Sequence, residues 1–116
     1  MTEEETRLDV LERMTDGFNA HDLDAIMSLF ADDPWGRRFE GRDAVREGLG
    51  ARFTTIPDVH YGDDVHFVAG ERGVSEWTLT GTTVDGVQLN LRGCDIWTFR
   101  GDDVLVKNSF SKIVEQ

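Results

Sequence analysis

At Asp58 the chain changes its period. Before that point apolar residues recur at helical spacing, and after it runs of β-forming residues alternate with turn signals. Helices first and strands after argue for an α+β fold, a curved antiparallel sheet with helices covering one face. A chain of 116 residues buries roughly two thirds of the surface that its unfolded form exposes. That supports one core and one pocket, so residues 1–116 are expected to form a single domain.

Three helices are predicted ahead of the change. Leu8, Leu11, Met14 and Phe18 line one face of a helix from Glu3 to Phe18, and Thr2 with Glu5 fits a capping box. "NAHD" then turns the chain into an N-cap at Asp22, followed by a shorter apolar face of Leu23, Ile26, Met27 and Phe30 that Pro34 terminates. "GRDAVREGLGARF" gathers Ala44, Val45, Leu49 and Phe53 on one side, weakened by Gly48 and Gly50, and ends before Pro57.

The strand half reads as a four-stranded meander. "DVHYGDDVHFVAG" is extended and bent, "GVSEWTLTGTTV" is rich in β-formers, and Asp85-Gly86 signals a hairpin into "VQLNLRGCDIWTFR". "GDD" leads into the last strand, "VLVKNSFSKIV", with room for a short extra strand at "RRFEG".

Charge narrows the function classes. Twelve Lys and Arg against 23 Asp and Glu give a net charge of −11, which repels nucleic-acid phosphates and anionic membranes. The single Cys94 excludes an internal disulfide, and "MTEEETRLDV" resembles neither a signal peptide nor a membrane span, so a cytoplasmic address is expected.

Asp95 is the residue that asks for a function, because it stands in the apolar run "RGCDIWTF". With Gly101 and Asp102 at the tip of the last hairpin, counting pairs Trp97 with Val106, Asp95 with Asn108 and Gly93 with Phe110. Asp95 and Asn108 are then the polar groups on an aromatic and aliphatic face, the composition of a ligand pocket. With Asp85 and Gly86 as the other tip, Glu76 falls opposite Asp95, which implies either a carboxylate dyad or a register error. A bulge near Gly81 or Gly93 would instead turn Trp77 and Leu79 inward and Glu76 outward.

Other candidates weigh less. His60 and His66 share a strand face if no bulge intervenes, but two histidines without a third ligand are a weak metal site; His60 beside Tyr61 could carry protons. His21 reads as a surface residue. Trp35, Trp77 and Trp97, with Phe18, Phe30 and Phe110, fit both core packing and the lining for a flat hydrophobic ligand. Cys94 reads as a small hydrophobe, and Arg37, Arg38, Arg42 and Arg46 as a solvated helix start balanced by Glu40, Asp43 and Glu47.

"FNAHDLDAIMSLFADD" resembles the helix pair of the nuclear transport factor 2-like superfamily, "EGRDAVREGL" its third helix, and the segment from Gly73 to Phe110 the strands of its SnoaL-like members. The resemblance covers nearly the whole chain and implies a cone-shaped sheet that three helices close over a pocket. It does not fix an activity, since the superfamily includes ketosteroid isomerase, polyketide cyclases, limonene epoxide hydrolase and binding proteins. Against the isomerase, Asp95 with Phe99 matches the oxyanion Asp of a D-x-x-x-F strand, Met14 stands at the oxyanion Tyr, and "PWGRRFEG" offers only Glu40 where the base Asp lies. Against the hydrolase, Arg92 and Asp95 occur but fall on opposite faces of a regular strand.

The resemblance implies no metal and no cofactor. It points to binding of a small hydrophobic molecule, with Met14, Phe18, Phe30, Trp35, Trp77, Trp97 and Phe110 as lining. An isomerase or aldol-type cyclase acting beside a carbonyl would use Asp95 as acid/base or oxyanion donor, Asn108 to orient it, and Glu76 or His60 as second proton carrier. The alternative is a non-catalytic ligand-binding or interaction domain. Homodimerisation through the outer sheet face, where Ile96 and Leu105 are expected, fits either case.

Overall fold

A computed structural model describes residues 2–31 and 42–113. Trp35, Glu40, Arg37, Arg38 and the "RRFEG" segment lie outside the described residues.

Helix α1 spans Glu3–Ala20 and begins with the expected capping box, Thr2 and Glu5 each bonding the other's backbone N–H through their side chains. It ends at His21, whose left-handed φ of 54° reverses the chain and lets the Asp22 N–H bond the Gly17 carbonyl at 3.0 Å. Asp22 then caps α2, Leu23–Met27, by accepting from the Ala25 N–H at 3.1 Å. The two helices touch at Gly17, where a Cβ would lie 2.8 Å from Ile26 Cγ1. Helix α3 spans Arg42–Thr55.

Strands β1 (His60–Ala69), β2 (Arg72–Thr82), β3 (Gln88–Arg100) and β4 (Asp103–Ile113) form one antiparallel sheet in chain order. Leu11, Met14, Phe18 and Ile26 from the helices are buried against Trp77, Leu79, Trp97, Phe99 and Val104 from the sheet. Arg7 of α1 staples one end of this core. It is 3% exposed, and its guanidinium bonds the Gly70 carbonyl at 2.6 Å and the Gly101 carbonyl at 2.9 Å, in the turns of two different hairpins.

Each hairpin departs by one residue from simple counting, and each departure decides which side chains face the core. The β2–β3 connection is not a two-residue turn at Asp85-Gly86. Thr83 N–H bonds the Val87 carbonyl at 2.9 Å, leaving the three-residue loop Val84–Gly86 with Gly86 at φ 87°. Ser75 therefore opposes Asp95 and Glu76 opposes Cys94, so the Glu76–Asp95 pairing does not form. Trp77 and Leu79 point inward, by a longer turn rather than by a bulge at Gly81 or Gly93.

In the β3–β4 hairpin Phe99 pairs with Val104, in the register that a two-residue tip gives, and then a bulge inserts Leu105 so that Thr98 opposes Val106. The cause is tertiary. Val104 gives its N–H to the Leu29 carbonyl at 2.8 Å and its carbonyl to the Ala31 N–H at 2.6 Å, so the segment after α2 holds it away from a regular ladder. Beyond the bulge Asp95 opposes Ser109 in place of Asn108, and Phe110, opposite Cys94, turns to the outer face at 52% exposure. A third irregularity, between Gly62 and Val65 with Asp63 at φ 52°, separates the two histidines: His60 is exposed and His66 is turned inward beneath α1.

Candidate functional site

Asp95 is 1% exposed, and a carboxylate so buried needs donors and a counter-charge. It has both. Trp77 Nε1–H donates to Oδ2 at 2.9 Å, Lys107 Nζ donates to Oδ1 at 3.0 Å, and the Ser109 hydroxyl donates to the same Oδ1. All three contacts are donated to the carboxyl oxygens, and the Lys107 ammonium supplies the charge beside them.

The backbone places each partner for a local reason. Trp77 opposes Gly93, where an added Cβ would come within 2.5 Å of the indole ring. Glycine at 93 thus lets the ring lie across β3 and reach Asp95 two residues away. The β4 bulge brings Ser109 opposite Asp95 and Lys107 opposite Trp97, both on the inner face. The Lys107 ammonium, on a side chain 13% exposed, lies 5.6 Å from the Phe18 ring centroid and 5.8 Å from that of Trp97. It also donates to Ser109 Oγ at 2.6 Å.

Trp77, Lys107 and Ser109 of this cluster line a cavity of about 530 Å³. Helix α3 supplies one wall through Val45, Leu49 and Arg52, and the sheet supplies the other through Tyr61, Trp77 and Leu91. Lys107, Ser109 and Ser111 bring polar groups to the sheet side. Asp95 is not among the lining residues; it sits behind Lys107, Ser109 and Trp77. The Tyr61 hydroxyl titrates above its ordinary value of 10.0, chiefly because burial disfavours the phenolate; the Arg52 guanidinium opposes the shift and the Asp95 charge adds to it.

A second polar cluster lies under α1. His66 Nδ1 and Ser75 Oγ are 2.7 Å apart, and His66 Nε2 lies 2.8 Å from Asp64 Oδ2. Trp97 Nε1–H donates to Ser75 Oγ at 2.8 Å. The order Ser-His-Asp is that of a hydrolase triad, yet Ser75 is 3% exposed, its oxygen is engaged by Trp97, and it lines no described cavity. This cluster is structural.

The remaining candidates scatter. Asn108 borders the cavity without bonding Asp95, while Glu76 and His60 are exposed and line none of it. Met14, Phe18, Phe30 and Trp97 are core residues, Trp35 is outside the described residues, and of the six described candidates for the lining only Trp77 is on the cavity wall. His21, expected at the surface, is half-buried, bonding the Val59 carbonyl at 3.0 Å and stacking on Phe53. Sequence reasoning missed Lys107, Ser109, Ser111 and Arg52. The one available signal was Lys107 itself, a cation inside the apolar run "VLVKNSF". Among the described residues no cluster of three or more His, Cys, Asp or Glu could hold a metal ion, and no helix is long and apolar enough to cross a membrane.

A family model for the SnoaL-like domain matches residues 11–106. No curated protein matches. Among solved structures, a provisionally assigned SnoaL-like polyketide cyclase from Jannaschia sp. CCS1 is 17% identical with a TM-score of 0.84, over 97% of this chain and 89% of its own. A provisionally assigned polyketide cyclase from Xanthomonas campestris is 18% identical with a TM-score of 0.82, over 93% and 91%. A protein of ketosteroid isomerase-like fold from Catenulispora acidiphila, solved in complex with trimethylamine, is 16% identical with a TM-score of 0.76, over 87% and 83%. At these identities the likeness shows the fold.

Proposed function

The chain belongs to the SnoaL-like domain family of the nuclear transport factor 2-like superfamily, and from that premise we propose that its cavity binds a small, flat, largely apolar molecule. The observation that carries this reading is the cavity of about 530 Å³, in which Trp77 and Tyr61 stand edge to face at 5.3 Å beside a few convergent polar groups. Aromatic walls select flat ligands, and the polar groups fix their orientation.

The test is to fill the cavity. Ser111 is exposed and lines the wall, so Ser111→Phe adds bulk there without adding a polar group. Titrating a panel of hydroxylated aromatic ketones against tryptophan fluorescence and calorimetric heat should give binding to the parent chain. The variant should bind at least ~10-fold more weakly, a loss of about 1.4 kcal/mol. Equal affinity in the two proteins would refute the cavity as the site.

A second reading, proton transfer beside a carbonyl, is favoured by the Lys107 ammonium on the cavity lining. A carbonyl oxygen near that ammonium would be polarised, and the enolate left by loss of an α-proton would be stabilised. Asp95 then acts as a positioning residue that holds Lys107, rather than as the acid or base. The described lining offers no carboxylate or imidazole to take the α-proton, which is why binding leads. Running the same panel in D₂O separates the two readings, because only the second gives enzyme-dependent loss of the α-proton signal.

A further inference from the structure

We infer that the preferred ligand carries an anionic oxygen on its aromatic framework, and that Lys107 is the residue that selects for it. The inference rests on the cavity being the ligand site. It starts from a count of donors. An ammonium has three N–H groups. Two of those on Lys107 are used, one by Asp95 Oδ1 at 3.0 Å and one by Ser109 Oγ at 2.6 Å. Among the described residues the third has no oxygen partner, although the side chain is only 13% exposed and lines the cavity. The Phe18 and Trp97 rings near it attract the charge without accepting a strong hydrogen bond.

Asp95 takes one Lys107 N–H, through Oδ1, while its Oδ2 is held by the Trp77 indole. A ligand oxygen can take the third. A charged oxygen forms the stronger bond with an ammonium than a neutral one, and the low-polarity surroundings widen the difference.

The charge balance of the site points the same way. Lys107 and Arg52 line the cavity and Asp95 stands behind it, so these three groups sum to one positive charge. That local sign opposes the chain's net charge of −11, whose field repels anions from most of the surface. A monoanion brings the site to neutrality. A cationic ligand of the same shape would place like charges together, and a neutral one would leave the excess uncompensated.

Anthracene-2-carboxylate and anthracene-2-carboxamide test this, being alike in shape and different in charge. Dissociation constants are measured at neutral pH for the parent chain, Arg52→Gln, Lys107→Met and the double variant Asp95→Asn/Lys107→Met. The double variant removes both charges of the buried pair, so a folded protein lacking Lys107 remains available if the single variant fails to fold. The parent chain should prefer the carboxylate by at least ~10-fold. Loss of Lys107 should reduce that preference to within ~2-fold, and Arg52→Gln, at the exposed end, should reduce it in part.

Equal binding of the two compounds by the parent chain would overturn the anion selectivity and leave the cavity reading standing. A preference that survives loss of Lys107 would overturn the assignment of this residue. If neither compound binds while neutral ketones do, the selectivity falls; if nothing binds, the cavity reading falls with it.

Discussion

Two polar clusters are attached to the same central hairpin, and they differ in what they leave unused. Around His66, the hydroxyl of Ser75, the imidazole and Asp64 form a chain that Trp97 completes, under α1 and away from the cavity. Around Asp95, the carboxylate is as fully bonded, but its partner Lys107 keeps one donor and faces open space. Burial of a polar group therefore does not by itself mark a site. In our proposal the mark is a donor held in place and still unsatisfied.

The largest test of that contrast is removal of the Lys107 charge. Lys107→Met leaves the Asp95 carboxyl, 1% exposed, without its counter-ion, which should cost about 3–5 kcal/mol in urea unfolding. Asp95→Asn in the same protein should recover much of this, because an amide oxygen at 95 still accepts from the Trp77 indole. A double variant as unstable as the sum of the two single variants would show that the pair is not coupled, and the account of the cluster would fail.

The Ser75 cluster should respond more mildly and without touching ligand binding. Ser75→Ala removes the partner of both Trp97 Nε1 and His66 Nδ1, leaving buried polar groups at a cost of about 1–3 kcal/mol. Ligand affinity should stay within ~2-fold, since Ser75 does not line the cavity. A large loss of affinity at unchanged stability would mean that the two clusters act as one site.

The same contrast explains how far the sequence could be read. Helix positions, both N-caps and the order of four strands follow from local pattern, because caps and periodicity are short-range properties. Asp95 could be singled out as a charge in an apolar strand. Its partners could not, because each depends on a one-residue shift with a non-local or subtle cause. Asp85-Gly86 marks a turn in either case, but whether two or three residues form the loop decides whether Glu76 or Trp77 meets the core. The β4 bulge depends on backbone bonds from Val104 to Leu29 and Ala31, more than 70 positions away. Without it Asn108 faces Asp95; with it Ser109 does, and Lys107 enters the cavity. The fold was legible because it averages over many residues, whereas the site turns on single steps of register.

The smallest expected effect reads the boundary of the Asp95 cluster through Tyr61, the single tyrosine of the chain, on β1 at the cavity wall. Burial is the main cause of its upward shift from 10.0, and the Asp95 charge contributes in the same direction. The unfolded chain therefore releases this proton first. Below pH 10 both states hold it and stability is unaffected; as the pH rises past 10 the unfolded state binds fewer protons, and folding stability falls until the folded phenol also ionises. Absorbance at 295 nm should give a native midpoint above 10 that returns to the ordinary value in urea. Asp95→Asn should move the native midpoint down only slightly, because desolvation remains. A native midpoint at or below 10 would mean that water reaches the phenol freely, and that the cavity wall is more open than the packing of Tyr61 against Phe18 and Trp77 implies.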